Sequence, residues 1–241
     1  MTLRVGRQQI AFDLQRFVSE RDGVNVRQSY DALWAEYEKE PWRLTGFYSR
    51  PVQTQDIRVF DDFSSNGLTY GGFRVQRDLG PGRFSLALAQ YRRRAAQFPS
   101  AFGNERRDIA DVRYVGATRT IDWDLEGMLQ TGRIGNQPIQ AWATGLRAAY
   151  TLHDEGWRPR LGLQIDAASG DRNMRDSRLE SFNPLFPNGA YFTLAGLHGL
   201  HELCSHQAIS DGYAGAAVFG DVRRRCPMAR DDGGRCLHTA R

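Results

Sequence analysis

The sequence of 241 residues contains almost no lysine, no long apolar run and no cysteine before position 204. No stretch approaches the ~18 apolar residues that a membrane-spanning helix needs, which excludes a helical membrane protein. The three cysteines form no CxxC pair, which argues against a disulfide framework. The first residues contain neither a basic n-region nor an apolar h-region, so the chain as written is expected to lack an export signal.

The positive charge of the chain is carried almost entirely by guanidinium groups, because Lys39 is the sole lysine among 32 basic residues. The excess of four basic residues over the 28 acidic ones is too small to predict a nucleic-acid partner. Arginine is suited to bidentate contacts with carboxylates and phosphates. A GC-rich genome would produce the same arginine bias, and the composition alone does not separate the two explanations.

Apolar and polar residues alternate with a period of two over residues 2–168, the pattern of strands with one apolar and one polar face. On one strand, Tyr30, Ala32 and Trp34 share the apolar face. The alternation predicts about nine to ten strands of roughly 9 to 14 residues, long enough to cross an outer membrane at a tilt. The predicted fold is therefore all-β and antiparallel.

The predicted connections alternate between short and long. Tight turns are expected at residues 39–41, 78–82, 119–121 and 153–156, and longer loops at 13–23, 51–67, 93–107 and 169–190, with a shorter one within 132–138. This asymmetry is typical of a transmembrane β-barrel with periplasmic turns and extracellular loops. An aromatic girdle is expected at the turn end, from Trp34, Trp42, Trp123 and Trp157.

If the apolar faces contact lipid, the opposite faces line a lumen of mixed charge. The predicted lumen and substrate-path residues are Arg27, Arg74, Arg113, Arg147, Arg160, Asp111, Asp124, Glu126 and Asp166. A carboxylated polymer could pass from one arginine to the next without tight binding at any of them. The same residues also fit an ordinary solvated interior with structural salt bridges and no selectivity.

Neither a catalytic nor a metal site is predicted. Asp122, Asp124 and Glu126 lie on one face of one strand, whereas acid–base catalysis needs two carboxylates that face each other across a substrate. A tail segment contains several competent zinc ligands, but their spacing matches no zinc motif; they are His198, His201, Cys204 and His206. No cofactor is expected.

Six stretches of the sequence resemble the alginate export family of Gram-negative outer-membrane porins, over about residues 1–195. They are GRQ (6–8), RDGVNVRQSYDAL (21–33), DWDLEGMLQTGRIG (122–135), IQAWATGLRAAYTL (139–152), RPRLGLQIDAASGD (158–171) and FNPLFPNGAYF (182–192). The SGD loop followed by FNPLFP is the most specific part. The resemblance implies a larger, roughly eighteen-stranded barrel in the outer membrane. It also implies an arginine-rich lumen that passes an anionic uronate polysaccharide.

The resemblance and the change of composition near residue 196 divide the chain into two parts. Residues 1–195 are predicted to form part of the barrel, and residues 196–241 an aberrant tail that is frameshifted or disordered. Nine or ten strands of a larger barrel leave two unpaired edges, which lipid does not tolerate. The chain is therefore interpreted as a fragment of a porin.

The leading functional hypothesis is a porin for anionic polysaccharide or related anionic solutes, with outer-membrane lipid and lipopolysaccharide as further partners. The protein is not expected to be an enzyme. Two alternatives stay open, a soluble β-sheet binding protein and a non-functional truncated porin.

Overall fold

The computed structural model describes most of the first 186 residues and one later strand. The described residues are 1–14, 16–20, 27–53, 62–98, 100–152, 157–171, 177–186 and 213–224, the last range and residues 157–159 by their backbone alone. In this part of the chain, no helix has the length and apolar character needed to span a membrane.

The described chain consists of strands, most of them between 10 and 16 residues long. They are β1 (Thr2–Gln8), β2 (Tyr30–Lys39), β3 (Trp42–Gln53), β4 (Phe63–Ser64), β5 (Leu68–Leu79), β6 (Gly82–Gln97), β7 (Phe102–Ala117), β8 (Ile121–Ile134), β9 (Gln137–Thr151), β10 (Trp157–Ala168) and β11 (Tyr213–Arg224). Ten of them form one sheet in the order β1-β2-β3-β5-β6-β7-β8-β9-β10-β11, and β4 pairs with β3.

Every neighbouring pair in the sheet is antiparallel, as the alternating sequence predicts. The three tight turns predicted at residues 39–41, 78–82 and 119–121 are confirmed by the short gaps after β2, β5 and β7. The fourth, at 153–156, lies outside the described residues. The order is open among the described strands, with β1 at one edge and β11 at the other.

One face of the sheet exposes large apolar side chains, and we call it the outer face. Along β8, for example, Leu125 and Leu129 are 40% and 60% exposed, whereas the intervening even-numbered residues are buried. The same exposure recurs on β5, β6, β9 and β10, including Phe73, Leu88, Trp142 and Leu161. The expectation that the apolar faces point outward is therefore confirmed for these strands.

The expectation that the apolar face points outward is wrong for β2. Tyr30, Ala32 and Trp34 are buried on the inner face, and Leu33 is exposed on the outer face. The reason is a second layer of aromatic rings, because Phe12 stacks on Trp34 with a ring-centroid distance of 5.7 Å. Trp34 therefore does not contribute to an outer girdle.

The long loop expected at residues 93–107 is also wrong, because β6 continues to Gln97 and β7 begins at Phe102. The shorter loop expected within 132–138 is a two-residue turn, because β8 continues to Ile134 and β9 begins at Gln137. The pairing of the two strands shifts register between Arg93 and Ala96. Ala95 lies in this β-bulge with a φ of 51°. A bulge accommodates one irregular position and lets the ladder continue.

Two irregular segments pack on the inner face, residues 9–20 (the 9–20 segment) and residues 177–186 (the 177–186 segment). They are joined by backbone hydrogen bonds, in which the Ser19 amide donates to the Phe186 carbonyl at 2.8 Å and the Phe186 amide donates to the Phe17 carbonyl at 2.9 Å. Aromatic contacts fix both segments, with Phe17 against Phe182 at 5.4 Å and Tyr30 against Phe186 at 5.4 Å. The inner face is thus partly covered.

The tail predicted from residue 196 contains β11, whose backbone pairs with β10 from Trp157↔Arg224 to Ala168↔Tyr213. The rest of the predicted tail, including all histidine and cysteine candidates for a zinc site, lies outside the described residues. The division of the chain at residue 195 stays a prediction.

Candidate functional site

Strand parity and register bring charged residues of β7 to β10 together on the inner face. Glu126 on β8 is directly opposite Gly145 on β9, and Gly145 is directly opposite Asp166 on β10. The two carboxylates therefore flank a residue without a side chain. This arrangement leaves a space between them that a third group can fill.

Arg16 of the 9–20 segment fills that space and is 2% exposed. Its Nη1 donates to Glu126 Oε2 at 2.6 Å and to Asp124 Oδ1 at 3.1 Å. Its Nε lies 3.5 Å from Asp166 Oδ1. A β-carbon at Gly145 would come within 2.6 Å of Arg16 Nε, so the guanidinium needs a glycine there.

Asp13 of the same segment joins two arginines from β5 and β7, which β6 separates. Its Oδ2 accepts a hydrogen bond from Arg74 Nη2 at 2.6 Å, and its Oδ1 accepts one from Arg113 Nη1 at 2.6 Å. Arg113 also pairs with Asp124. These contacts form one ionic network across the inner face, which we call the inner ion network. Its members are Asp13, Arg16, Arg74, Arg113, Asp124, Glu126 and Asp166.

A second buried polar network, around Arg107, fixes the 177–186 segment. The Arg107 Nε donates to Glu105 Oε1 at 2.5 Å, and its Nη1 donates to Gln130 Oε1 at 2.7 Å and to the Ser181 carbonyl at 3.1 Å. Gln130 Nε2 in turn donates to the Asn183 carbonyl at 2.6 Å. Burial makes every one of these polar groups costly to leave unpaired, so the network specifies one position for the segment.

An open recess of about 1030 Å³ lies on the inner face toward the tight-turn end. Six arginines and four aspartates line it, namely Arg43, Arg74, Arg83, Arg113, Arg147 and Arg160 with Asp13, Asp78, Asp122 and Asp124. Several of the guanidinium groups are paired, since Arg160 Nη2 lies 2.6 Å from Asp122 Oδ1 and Arg83 Nε lies 2.7 Å from Asp78 Oδ1. The lining still carries more guanidinium than carboxylate groups.

The structure places eight of the nine predicted path residues on inner-face positions of their strands. Five belong to the inner ion network, namely Arg74, Arg113, Asp124, Glu126 and Asp166, and Arg147 and Arg160 line the recess. Asp111 lines a smaller cavity beneath Phe12 and Phe17. Arg27 precedes β2 and is exposed, so the structure does not bring it to this group. The transport role of all nine stays a prediction.

Sequence reasoning missed the residues that complete the site. Asp13 and Arg16 lie in a segment without periodicity, so strand parity carries no information about them. Arg107 falls in the loop predicted at 93–107, although counting back in steps of two from Arg113 places it on the inner face. Among the described residues, no group of three or more His, Cys, Asp or Glu side chains could hold a metal ion.

A comparison with protein families supplies the identity that fits this geometry. A family model described as alginate export matches residues 1–210 of the chain. The chain belongs to the alginate export family. This family consists of outer-membrane β-barrel porins that export polysaccharide, and it is a family of transporters rather than enzymes. The match extends beyond residue 195, where the sequence resemblance was expected to end.

Comparisons with curated proteins and with solved structures found no match to the chain. Membership of the alginate export family therefore rests on the family model, and the open antiparallel sheet with its apolar outer face agrees with it.

Proposed function

We propose that the inner face is the wall of an aqueous export path for an anionic polysaccharide of the uronate type. The observation that carries this proposal is the recess of about 1030 Å³ with six arginines against four aspartates. A uronate polymer carries one carboxylate on each sugar, and arginine binds carboxylates through paired hydrogen bonds. The arginine excess attracts the polymer to the recess.

The pairing of the arginines supports passage rather than tight capture. Arg83 and Arg160 each have an aspartate partner within 2.7 Å, so a passing carboxylate competes with an existing ion pair. Conduction requires binding that is favourable enough for entry and weak enough for release. Partly neutralised arginines in series meet both conditions.

The outer face supports a location in the outer membrane, with lipid as a partner, over a soluble β-sheet binding protein. Soluble monomers rarely expose apolar patches larger than a few hundred Å². Here Leu125, Leu129, Leu161 and Phe73 are all at least 40% exposed on the same face of the one sheet, on β8, β10 and β5. A face of this composition is stable in contact with the hydrocarbon chains of lipids.

Ion selectivity in a planar bilayer tests the proposal. We expect the completed barrel that contains this sheet, reconstituted in the bilayer, to conduct with a preference for chloride over potassium, measured as the reversal potential across a salt gradient. The variant R43Q/R83Q/R160Q removes three recess guanidiniums, so the anion preference is expected to fall about threefold or more. A uronate oligosaccharide should block the unmodified chain more strongly than this variant.

Two control variants are expected to affect the ion selectivity differently from R43Q/R83Q/R160Q. Arg77 lies on the outer face against Trp42, so R77Q should leave the selectivity unchanged. Asp13→Asn removes the carboxylate that Arg74 and Arg113 share, so it should raise the anion preference. Cation preference, or the absence of conductance, would contradict the proposal.

A further inference from the structure

Three arginines form a row across the outer face at the end of the sheet opposite the turns at 39–41, 78–82 and 119–121. Arg92 on β6 is directly opposite Arg106 on β7, and Arg106 is directly opposite Arg133 on β8. All three side chains are exposed. Adjacent strands lie about 4.8 Å apart, so the three guanidinium groups can reach one ligand together.

The strand register gives the position of this row along the strands relative to the exposed apolar side chains. Leu88 and Leu129 on the same strands are 44% and 60% exposed. Arg92 and Arg133 lie four residues farther along, or about 13 Å at the usual rise of a strand. Gln90, Asp108 and Thr131 occupy the intervening polar row. The arginine row therefore lies just beyond the apolar band, where lipid headgroups begin.

The row has a large excess of positive charge over its surroundings. Like charges directly opposite each other on neighbouring strands are destabilising. The carboxylate of Asp108 accepts a hydrogen bond from Arg106 Nη2 at 3.3 Å and one from Gln90 Nε2 at 2.6 Å. Gln90 also accepts one from Arg92 Nε at 2.6 Å. These contacts orient two of the guanidinium groups and neutralise only part of the charge.

We propose that Arg92, Arg106 and Arg133 bind the phosphate groups of the glycolipid headgroup in the outer leaflet, the diphosphorylated lipid A of lipopolysaccharide. Arginine binds phosphate through two parallel hydrogen bonds, and three guanidiniums complement two phosphates. The acyl chains of the same lipid would cover the apolar band below the row. The connections that flank the row are short, but the longest connections of the sheet, from β1 to β2, from β3 to β5 and from β10 to β11, leave it at this same end. Long connections mark the extracellular end of outer-membrane barrels, and the outer leaflet at that end contains this lipid.

Lipid binding in mixed micelles tests the inference without requiring conductance, so its failure is distinguishable from failure of the proposed export path. The probes are diphosphoryl lipid A and its dephosphorylated form, each titrated against the full chain refolded in detergent. We expect the diphosphoryl form to bind more tightly. Since hydrogen bonds to charged groups are the strong ones, R106Q/R133Q should weaken its binding about tenfold or more.

The matched control is R77Q/R119Q, which removes the same charge from exposed positions at the turn end and should change binding less than about twofold. The single variant R133Q provides a second, milder substitution on the row and should also weaken binding. Equal binding of the two lipid A forms, or equal loss in R106Q/R133Q and R77Q/R119Q, would overturn the inference.

Discussion

Gly145 shows at the scale of one residue how the inner face accommodates a buried charge. It stands in register between Glu126 and Asp166, and the space beside it holds the Arg16 guanidinium. A buried guanidinium is stable only when its charge is matched by well-placed acceptors. The glycine is therefore as necessary to the ion network as the carboxylates are.

Gly145→Ala is expected to destabilise the fold. The added β-carbon would lie 2.6 Å from Arg16 Nε and 2.8 Å from Asp166 Oδ1, so one partner must move. Overpacking of this kind typically costs about 1–3 kcal/mol. Denaturant unfolding of the chain in detergent micelles measures the change.

Gly127→Ala is the matched control, because nothing lies within 4 Å of a β-carbon at that position on the neighbouring strand. It should be neutral or slightly stabilising. If the two alanine variants unfold at the same denaturant concentration, the close packing of Arg16 against β9 is wrong.

Part of the site could be predicted from the sequence, and part of it could not. Parity placed Asp124, Glu126 and Asp166 on one face because each lies on a regular strand. It could not find Arg16, since a residue in an irregular segment can point in any direction. It also could not show that the predicted path residue Arg113 pairs with Asp13, because 100 residues separate them.

At the scale of elements, the 9–20 segment is held by a few charged contacts and a layer of aromatic rings. Arg16 contacts β8 and β10, and Asp13 contacts β5 and β7. The amides of Phe12 and Ser19 donate to carbonyls within the inner layer at 3.1 and 2.8 Å. These two amides report on whether the segment is docked.

Arg16→Met is expected to release the 9–20 segment. Removing one partner of a buried ion pair typically costs about 3–5 kcal/mol, because the remaining carboxylates stay buried without a counter-charge. Hydrogen exchange of the peptide that contains Phe12 and Ser19 should therefore accelerate strongly.

Arg83→Met is the control, because Arg83 pairs with Asp78 at the surface, where the two side chains are 41% and 51% exposed. Its effect on exchange of the 9–20 segment should be negligible, and surface pairs contribute at most about 1 kcal/mol. Similar protection of the segment in R16M and the unmodified chain would show that the aromatic contacts alone hold it.

The strands were more predictable than the segments that cover them. Alternation places β5 to β10 correctly because apolar side chains lie mainly on the outer face of these strands and polar ones mainly on the inner face. It assigned the wrong face on β2, since there the inner layer is itself aromatic and covers Tyr30 and Trp34. It also ended β6 too early, because the bulge at Ala95 interrupts the period without ending the strand.

At the scale of the whole molecule, the two faces of the described sheet differ in composition. Exposed leucine and aromatic side chains cover the middle of the outer face, whereas arginine and carboxylate side chains dominate the inner recess. Membership of the alginate export family agrees with this polarity. The export path and the lipid A contact both depend on it, because each assigns one face to water or to lipid.

The most direct test of this polarity is a nitroxide scan along β10 in lipid bilayers, with Cys204, Cys226 and Cys236 replaced by serine. Leu161, Leu163 and Ile165 lie on the outer face, and Arg160 and Gln164 lie on the inner face. Labels at the three outer positions are predicted to collide with oxygen dissolved in the hydrocarbon. Labels at the two inner positions are predicted to collide with a water-soluble nickel complex. Accessibility that shows no alternation, or alternates with the opposite parity, would contradict the account.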